Sequence, residues 1–150
     1  MCCCCTEHFN RKKINSTNIE EIWNGDKEKE KLGVEYFGVG DLEVSHNDKL
    51  LAYSLDIKGS EYYTIFIRNI ITNKIVTKEI TNTSGSITFS LDDKYIFYSK
   101  LDKNHRARKV FRHEIGKFDG QDDLIFDIIE IRQLFYIRNF LLVDSCYMLL

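Results

Sequence analysis

Clustered cysteines are the residues of this 150-residue chain with the most obvious chemical potential, because thiolates bind metals and act as nucleophiles. Four of the five cysteines stand together as Cys2-Cys3-Cys4-Cys5, and Cys146 is isolated. A zinc site spaces its thiolates two to four residues apart so that the chelate loop can close, and four adjacent cysteines do not. We interpret the run as an accidental leader and Cys146 as a small packed side chain. The sequence therefore predicts no metal and no cofactor.

Asp56, Gly59 and Glu61 form the most suggestive charged group. One interpretation is a functional cluster on a surface that meets a substrate or another domain. The other is structural: Asp56 and Gly59 make a turn, and Glu61 caps or pairs within the same sheet. The residue types favour the structural interpretation, since Asp and Gly satisfy the backbone needs of turns.

Two further acidic pairs, Asp92-Asp93 and Asp122-Asp123, are interpreted as ordinary turn or loop acids. Binding a cation such as calcium would require additional oxygen ligands at regular spacing. The sequence does not supply them near either pair.

Charge and hydropathy exclude several classes of partner. The net charge is −2 with mixed signs, so there is no basic footprint for nucleic acid. No stretch approaches the roughly 18 apolar residues of a membrane span. The N-terminus lacks the apolar core and cleavage site of a signal peptide. We therefore expect a cytoplasmic protein without nucleic-acid or membrane partners.

The elements that would position these residues repeat once, at a spacing of 45 residues, so that segment 44–54 aligns with segment 89–99. The identical pairs are Ser45/Ser90, Asp48/Asp93, Lys49/Lys94, Tyr53/Tyr98 and Ser54/Ser99, and Ile65/Val110, Phe66/Phe111 and Ile70/Ile115 extend the register. A repeat of this length built from short strands is typical of β-propeller blades.

Each period shows the alternation of four short strands. The predicted strands are 41–45, 50–55, 61–70 and 75–80, then 86–90, 95–100, 109–115 and 124–127. Upstream, residues 23–26 are predicted as a turn and 27–31 as a solvated loop or helix face. The predicted fold class is all-β, a partial β-propeller of about two four-stranded blades plus the start of a third.

The predicted division of the chain follows from these strands. Residues 1–13 are assigned to a divergent leader and 14–150 to an incomplete propeller domain. The blades are placed at about 36–82 and 83–127, with a third beginning in 128–150. The chain stops on the apolar stretch 147–150, which a complete domain rarely does, and one blade cannot bury both faces of its sheet. We therefore expect a part of something larger.

The stretch 43–63 resembles the N-terminal propeller of oligopeptidase B (protease II), in the prolyl oligopeptidase family of serine peptidases. The matching positions are Ser45, Asp48, Ala52, Tyr53, Asp56, Gly59, Glu61 and Tyr63. A second resemblance runs over 98–116, with Tyr98, Asp102, Arg106, Val110, His113 and Gly116 in the family's places. Two positions that are proline in the family are Asn47 and Ala107 here.

The resemblance implies a propeller that gates a C-terminal α/β-hydrolase domain, with short basic peptides as substrates and cleavage after Arg or Lys. The family's nucleophile would lie in a Gly-x-Ser-x-Gly elbow, followed by Asp and His. The only similar run, Thr83-Ser84-Gly85-Ser86, has its glycine misplaced and lies at the start of a predicted strand. No catalytic, cofactor or metal residue is assigned.

The sequence does not predict a general-base role for any of the four histidines. A general base must lie within hydrogen-bond reach of its nucleophile, and the sequence offers no partner for any of them. We therefore expect solvated turn or edge positions for His8, His46, His105 and His113.

Three hypotheses follow. The chain is the early propeller of an oligopeptidase-B-like peptidase and is inactive alone. Alternatively, it is a stand-alone β interaction module that self-associates through exposed strand edges. A third alternative is one half of a split peptidase whose remainder is encoded separately.

Overall fold

The computed structural model describes residues 8–12, 17, 19–118 and 122–127. The cysteine run Cys2–Cys5, Cys146 and the predicted third blade at 128–150 lie outside the described residues. Part of the predicted leader, residues 8–12, forms a strand.

The described residues fold into nine strands and one helix. They are β1 (His8–Lys12), β2 (Ile19–Asn24), α1 (Gly25–Leu32), β3 (Gly38–Val44), β4 (Leu50–Asp56), β5 (Tyr63–Asn69), β6 (Ile80–Phe89), β7 (Tyr95–Leu101), β8 (Ala107–Glu114) and β9 (Asp123–Asp127). β1 and β2 form a two-stranded sheet, and β3 to β9 form a seven-stranded sheet in chain order with every neighbouring pair antiparallel. The all-β prediction is confirmed, and the meander has the topology of successive propeller blades.

β6 joins the two repeats. Its first part pairs with β5, Ile80 opposite Ile65, and its second part pairs with β7, Thr88 opposite Phe97. The predicted boundary between residues 82 and 83 therefore falls inside a strand. The predicted continuous strand at 75–80 is wrong: only Ile80 belongs to a strand, β6. The residues before it meet β5 through a single bridge from Ile75 to Arg68 and a hydrogen bond from Val76 N–H to Ile67 O at 2.9 Å.

The predicted turn at 23–26 is also wrong, because Gly25 begins α1. The Asn24 side chain caps the helix by accepting a hydrogen bond from Lys27 N–H at 3.1 Å. Asp26 lies in the first turn, where the positive end of the helix dipole favours acids. Gly33 ends the helix in the left-handed conformation, φ 64°, and its N–H bonds back to the last turn. The helix is charged nearly all round, so no apolar periodicity revealed it.

The repeat reappears as matching turns. Leu50 N–H donates to Ser45 Oγ at 2.9 Å, and Tyr95 N–H donates to Ser90 Oγ at 3.0 Å. Asp48 and Asp93 both have left-handed backbone, φ 59° and 55°, a conformation that aspartate tolerates better than most residues. The aligned serines therefore accept equivalent turn hydrogen bonds, and the aligned aspartates adopt the same left-handed conformation in both turns.

Two apolar clusters lie on opposite faces of the first repeat. One lies between the repeats and contains Ala52, Ile65, Ile67, Ile80, Ile87, Phe89, Ile96 and Tyr98. The other contains Trp23, Leu51, Tyr53 and Leu55, with Phe9, Ile22 and Phe37 packed against it. The β1–β2 hairpin thus covers the first repeat on the face that the second repeat does not reach.

Candidate functional site

The Asp56 turn joins β4 to β5. Asp56 is 2% exposed, and its carboxylate accepts hydrogen bonds from Lys58 N–H at 2.9 Å and Glu61 N–H at 2.7 Å. Gly59 occupies the left-handed region at φ 68°, as a turn glycine does. The structural interpretation of Asp56 and Gly59 is confirmed. For Glu61 the prediction is wrong: its N–H is bound to Asp56, while its exposed carboxylate forms no cap or ion pair among the described residues and acts on Tyr63 only through its charge.

Tyr63 connects the innermost strands of the two repeats. A Cβ added to Gly40 would lie 2.8 Å from its ring, and one added to Gly85 would lie 3.0 Å away, so the ring needs glycine on both sides. Ser54 also links β3 to β6, since its hydroxyl donates to Gly85 O at 2.6 Å and accepts from Asp41 N–H at 2.9 Å. Burial, followed by the charge of Asp56, raises the pKa of Tyr63.

The turns of the two repeats are joined through Asp93. Its carboxylate accepts hydrogen bonds from the N–H groups of His46 and Asn47, both at 2.8 Å, and His46 Nδ1 lies 3.1 Å away. The Asp93 side chain is only 7% exposed. We call this contact the inter-repeat clasp. The prediction of a turn acid is confirmed for Asp93, and its role in joining the repeats was not predicted.

A buried polar network lies at the outer side of the second repeat. His113 Nδ1 lies 2.6 Å from Asp122 Oδ1, and His113 Nε2 lies 2.5 Å from Thr77 Oγ1. The hydroxyl of Tyr98 donates to the other oxygen of Asp122. His113 is 3% exposed, so its predicted solvated position is wrong, and Asp122 is not an ordinary loop acid. Burial, followed by this hydrogen bond, raises the pKa of Tyr98.

Hydroxyl, imidazole and carboxylate stand here in the order of a nucleophile, a base and its orienting acid. Two facts argue against catalysis. Thr77 is 1% exposed and cannot meet a substrate, and its hydroxyl also donates to Lys117 O at 3.1 Å. The network therefore ties the segment after β5 to the loop before β9, and it is structural.

A similar cluster stands in the first repeat. Arg68 and His113 are 45 residues apart, as are Tyr53 and Tyr98. Arg68 lies 3.7 Å from the Glu28 carboxylate, and Tyr53 donates to that carboxylate at 3.4 Å. Each repeat thus holds a tyrosine and a basic side chain around an acid supplied from outside its strands. α1 supplies the acid in the first case, and the residue before β9 supplies it in the second.

A groove of about 430 Å³ lies beside this first cluster. Its charges are paired within the groove: Lys27 contacts Glu21 at 2.8 Å, and that bond lowers the pKa of Glu21 to about 2. Trp23 also lines the groove, and its buried Nε1 has no hydrogen-bond partner among the described residues. The groove therefore offers a ligand little uncompensated charge.

The remaining histidines match their prediction. His8 and His46 are 42% and 48% exposed, and His105 is exposed in the turn between β7 and β8. Within the described ranges no three His, Cys, Asp or Glu side chains converge on a metal position. In those ranges, too, no helix has the length and hydropathy that crossing a membrane requires.

Comparison with known families gives one match that covers most of the chain. The domain described as prolyl oligopeptidase, N-terminal beta-propeller domain, matches residues 26–140. Strands β3 to β9 and the buried acid–base clusters of both repeats lie within this range, whereas β1 and β2 precede it.

Two curated proteins show the same relationship. The chain is 33% identical to dipeptidyl aminopeptidase BI of Pseudoxanthomonas mexicana over 96 residues, 63% of this chain and 13% of that protein. It is 28% identical to Protease 2 of Moraxella lacunata over 95 residues, 62% of this chain and 14% of that protein. The aligned part is therefore about one seventh of either relative.

Solved structures show the same fold. Oligopeptidase B from Leishmania major superposes with a TM-score of 0.70 at 24% identity, covering 80% of this chain and 17% of that one. Oligopeptidase B from Trypanosoma brucei, in a closed form with covalently bound antipain, gives 0.65 at 24% identity, covering 80% of this chain and 16% of that one.

Proposed function

Because this chain belongs to the prolyl oligopeptidase family through its N-terminal β-propeller domain, we propose that it supplies the opening blades of a peptidase propeller. The intact protein would be a serine endopeptidase that hydrolyses short peptides after Arg or Lys. Its propeller would partner its own C-terminal hydrolase domain and admit short basic peptides while excluding folded proteins. The family match over residues 26–140 is the observation that carries this proposal.

A gate must keep its blades in fixed relative positions, and the junction between the two repeats supports that role. Asp93 joins the turns at one end, while Tyr62 donates to Asp102 O at 3.0 Å in the turn between β7 and β8. Ser54 and Tyr63 join the inner strands between these contacts. Polar links thus border the apolar cluster shared by the repeats.

A chimaera tests the gating role. Residues 26–127 would replace the corresponding segment of the Moraxella lacunata Protease 2, and hydrolysis of a short Arg peptide would be compared with that of a folded basic protein. We expect retained hydrolysis of the short peptide only. A chimaera whose active serine still reacts with a serine-directed reagent, but which cleaves both substrates equally, would refute the gate.

The chain alone should be inactive on basic-residue peptides. Thr77, the one hydroxyl placed against an imidazole in the described part of the chain, is buried. Turnover by the purified chain that a serine-directed reagent abolishes would contradict this expectation. A chain carrying Thr77→Val would show whether such turnover came from that hydroxyl.

A second candidate function, a stand-alone interaction module, is favoured by β9. Among the described residues this strand is the last of the seven-stranded sheet, and Leu124, Ile125 and Phe126 are all at least 40% exposed. Exposed edge strands pair with other chains. A discrete oligomer in sedimentation equilibrium that Ile125→Lys dissociates would support this candidate, whereas a monomer across the concentration range would remove it.

A further inference from the structure

Asn24 and Gly25 form the one Asn-Gly dipeptide of the sequence, and they stand where β2 ends and α1 begins. This dipeptide favours deamidation, because glycine has no side chain to shield its backbone nitrogen from the preceding amide. The Gly25 nitrogen attacks Cγ of Asn24, the Cγ–Nδ2 bond breaks, and ammonia leaves with the proton of the Gly25 N–H. Water then opens the resulting succinimide ring at either carbonyl, which yields aspartate or isoaspartate.

The folded chain holds Asn24 in a conformation that prevents this attack. Ring closure requires the Gly25 nitrogen to lie on the same side of the Cα–C bond as Cβ of Asn24, whereas the extended backbone, φ −138° and ψ 112°, turns it away. The side-chain amide is also held: Oδ1 accepts from Lys27 N–H at 3.1 Å, and Nδ2 donates to Glu21 at 3.0 Å and lies 3.2 Å from His8 Nδ1. Ring closure therefore requires these contacts to break.

The β1–β2 hairpin, which supplies two of these contacts, is a weakly supported element. It is a two-stranded sheet separate from the seven-stranded one, with a bulge between Phe9 and Asn10, and three of the five residues of β1 are exposed. Two-stranded hairpins are marginal by themselves, and this one is tied to the core by the Phe9 ring, 5.9 Å from the Trp23 ring. Segments with few buried contacts open locally, without global unfolding.

We propose that Asn24 is a modification site that deamidates when the hairpin and the first turn of α1 separate, and that the modified residue keeps them from closing again. Either product replaces the Nδ2 donor with an oxygen and places a carboxylate beside that of Glu21. The hydrogen bond from Lys27 lowers the pKa of Glu21 to about 2, so both carboxylates are ionised at neutral pH and repel each other.

The modification would reach the first repeat through α1. Isoaspartate adds a methylene to the backbone between β2 and α1 and shifts the helix that carries Glu28. The Glu28 carboxylate accepts from Tyr53 at 3.4 Å and lies 3.7 Å from Arg68, and both of these residues are buried. Buried donors are costly without partners, so a displaced helix destabilises this side of the repeat. The conversion does not reverse, and the modified fraction therefore records how much the hairpin has opened.

Peptide mass spectrometry of the full chain during incubation at pH 8 tests the proposal. We expect Asn24 to deamidate about tenfold or more slowly in the native chain than in urea, because slow chemistry follows the population of the open form. Phe9→Ala should accelerate the native reaction by loosening the hairpin. Phe111→Ala is the matched control and should not, because Phe111 is likewise a partly buried ring stacked on a core aromatic, Tyr98 at 5.7 Å, but in the second repeat.

Asn24→Asp supplies one product directly. Aspartate caps a helix as well as asparagine does, so any loss comes from repulsion by Glu21. The variant should reduce the hydrogen-exchange protection of the β1 amides, while the β7 amides keep theirs and report that the repeats remain folded.

Three outcomes overturn the proposal. Asn24 could deamidate equally fast with and without urea, which would mean that the fold gives no protection. Phe111→Ala could accelerate the reaction as much as Phe9→Ala, which would assign the release to global unfolding. Asn24→Asp could leave the protection of β1 unchanged, which would mean that the modified hairpin closes normally. None of these outcomes depends on peptidase activity.

Discussion

His113 Nδ1 lies 2.6 Å from Asp122 Oδ1, and both side chains are less than 10% exposed. Arg68 and Glu28 form the corresponding pair in the first repeat, at 3.7 Å and about equally buried. In each repeat a tyrosine hydroxyl donates to that repeat's own acid, Tyr53 to Glu28 and Tyr98 to Asp122. The propeller repeat therefore reuses a buried acid–base contact while changing the chemical type of the base.

Asp122 is predicted to matter for stability. Asp122→Ala removes the acceptor of both Tyr98 and His113 and leaves two buried donors without partners, which costs about 1–3 kcal/mol in the free energy of unfolding. Asp123→Ala is the control, because its ion pair with Arg112 is exposed and worth at most about 1 kcal/mol. Urea unfolding measures both. Equal losses would show that the buried network contributes nothing specific.

Alkaline pH should destabilise the fold through Tyr53 and Tyr98. Burial is the main cause that raises the pKa of both side chains above the ordinary value. The folded state thus prefers the neutral phenol. Stability from this source is complete below about pH 10, the unfolded pKa, and is lost as pH rises from there towards the folded pKa, by at most about 1.4 kcal/mol per pH unit for each tyrosine.

The test is urea unfolding from pH 8 to 11 for wild type, Tyr98→Phe and Tyr53→Phe. Each variant should be less stable at pH 8 but lose less stability above pH 10. A Tyr98→Phe chain that declines as steeply as wild type would disprove the contribution of Tyr98.

The inter-repeat clasp provides a comparison between two equivalent aspartates. Asp93→Asn weakens two hydrogen bonds to His46 and Asn47 and should cost about 1–3 kcal/mol. Asp48→Asn makes the same change at the same left-handed turn position, where no described residue donates to the carboxylate, and should cost less than about 0.5 kcal/mol. Thermal unfolding of the two variants decides the matter. A similar decrease in the unfolding temperature of both variants would mean that the loss of stability comes from the turn position and not from the inter-repeat clasp.

The repeat was predictable because its signals are local. Ser45 and Ser90 each begin a turn whose hydrogen bonds close within five residues, and the flanking strands alternate apolar and polar side chains. The same locality explains the correct interpretation of Asp56, whose partners lie two to five residues away. Helix α1 was predicted only as one of two alternatives, a solvated loop or a helix face at 27–31, because capping stabilises it without an apolar stripe.

The buried network was not predictable from local pattern. The partners of His113 are Asp122 and Thr77, 9 and 36 residues away, and they meet only when the outer segments pack. One signal was available: at the 45-residue offset, Arg68 aligns with His113 just as Tyr53 aligns with Tyr98. This offset identifies His113 as the counterpart of Arg68, whereas the burial of both side chains is seen only in the structure.

Gly40 is predicted to tolerate no side chain. A Cβ there would lie 2.6 Å from Ser54 Oγ and 2.8 Å from the Tyr63 ring, and Ser54 cannot yield because it is bonded to Gly85 O and Asp41 N–H. Gly40→Ala should therefore cost about 1–3 kcal/mol through overpacking.

Gly38→Ala is the control on the same strand. Its Cβ would lie 3.2 Å from the Tyr36 hydroxyl, on a side chain that is 48% exposed, and at an ordinary 3.6 Å from Asp56 O, so Gly38→Ala should cost much less than Gly40→Ala. Chemical denaturation compares the two variants. Equal stability would mean that the inner strands can separate without loss, which would remove the rigid inner junction that the proposed gate requires.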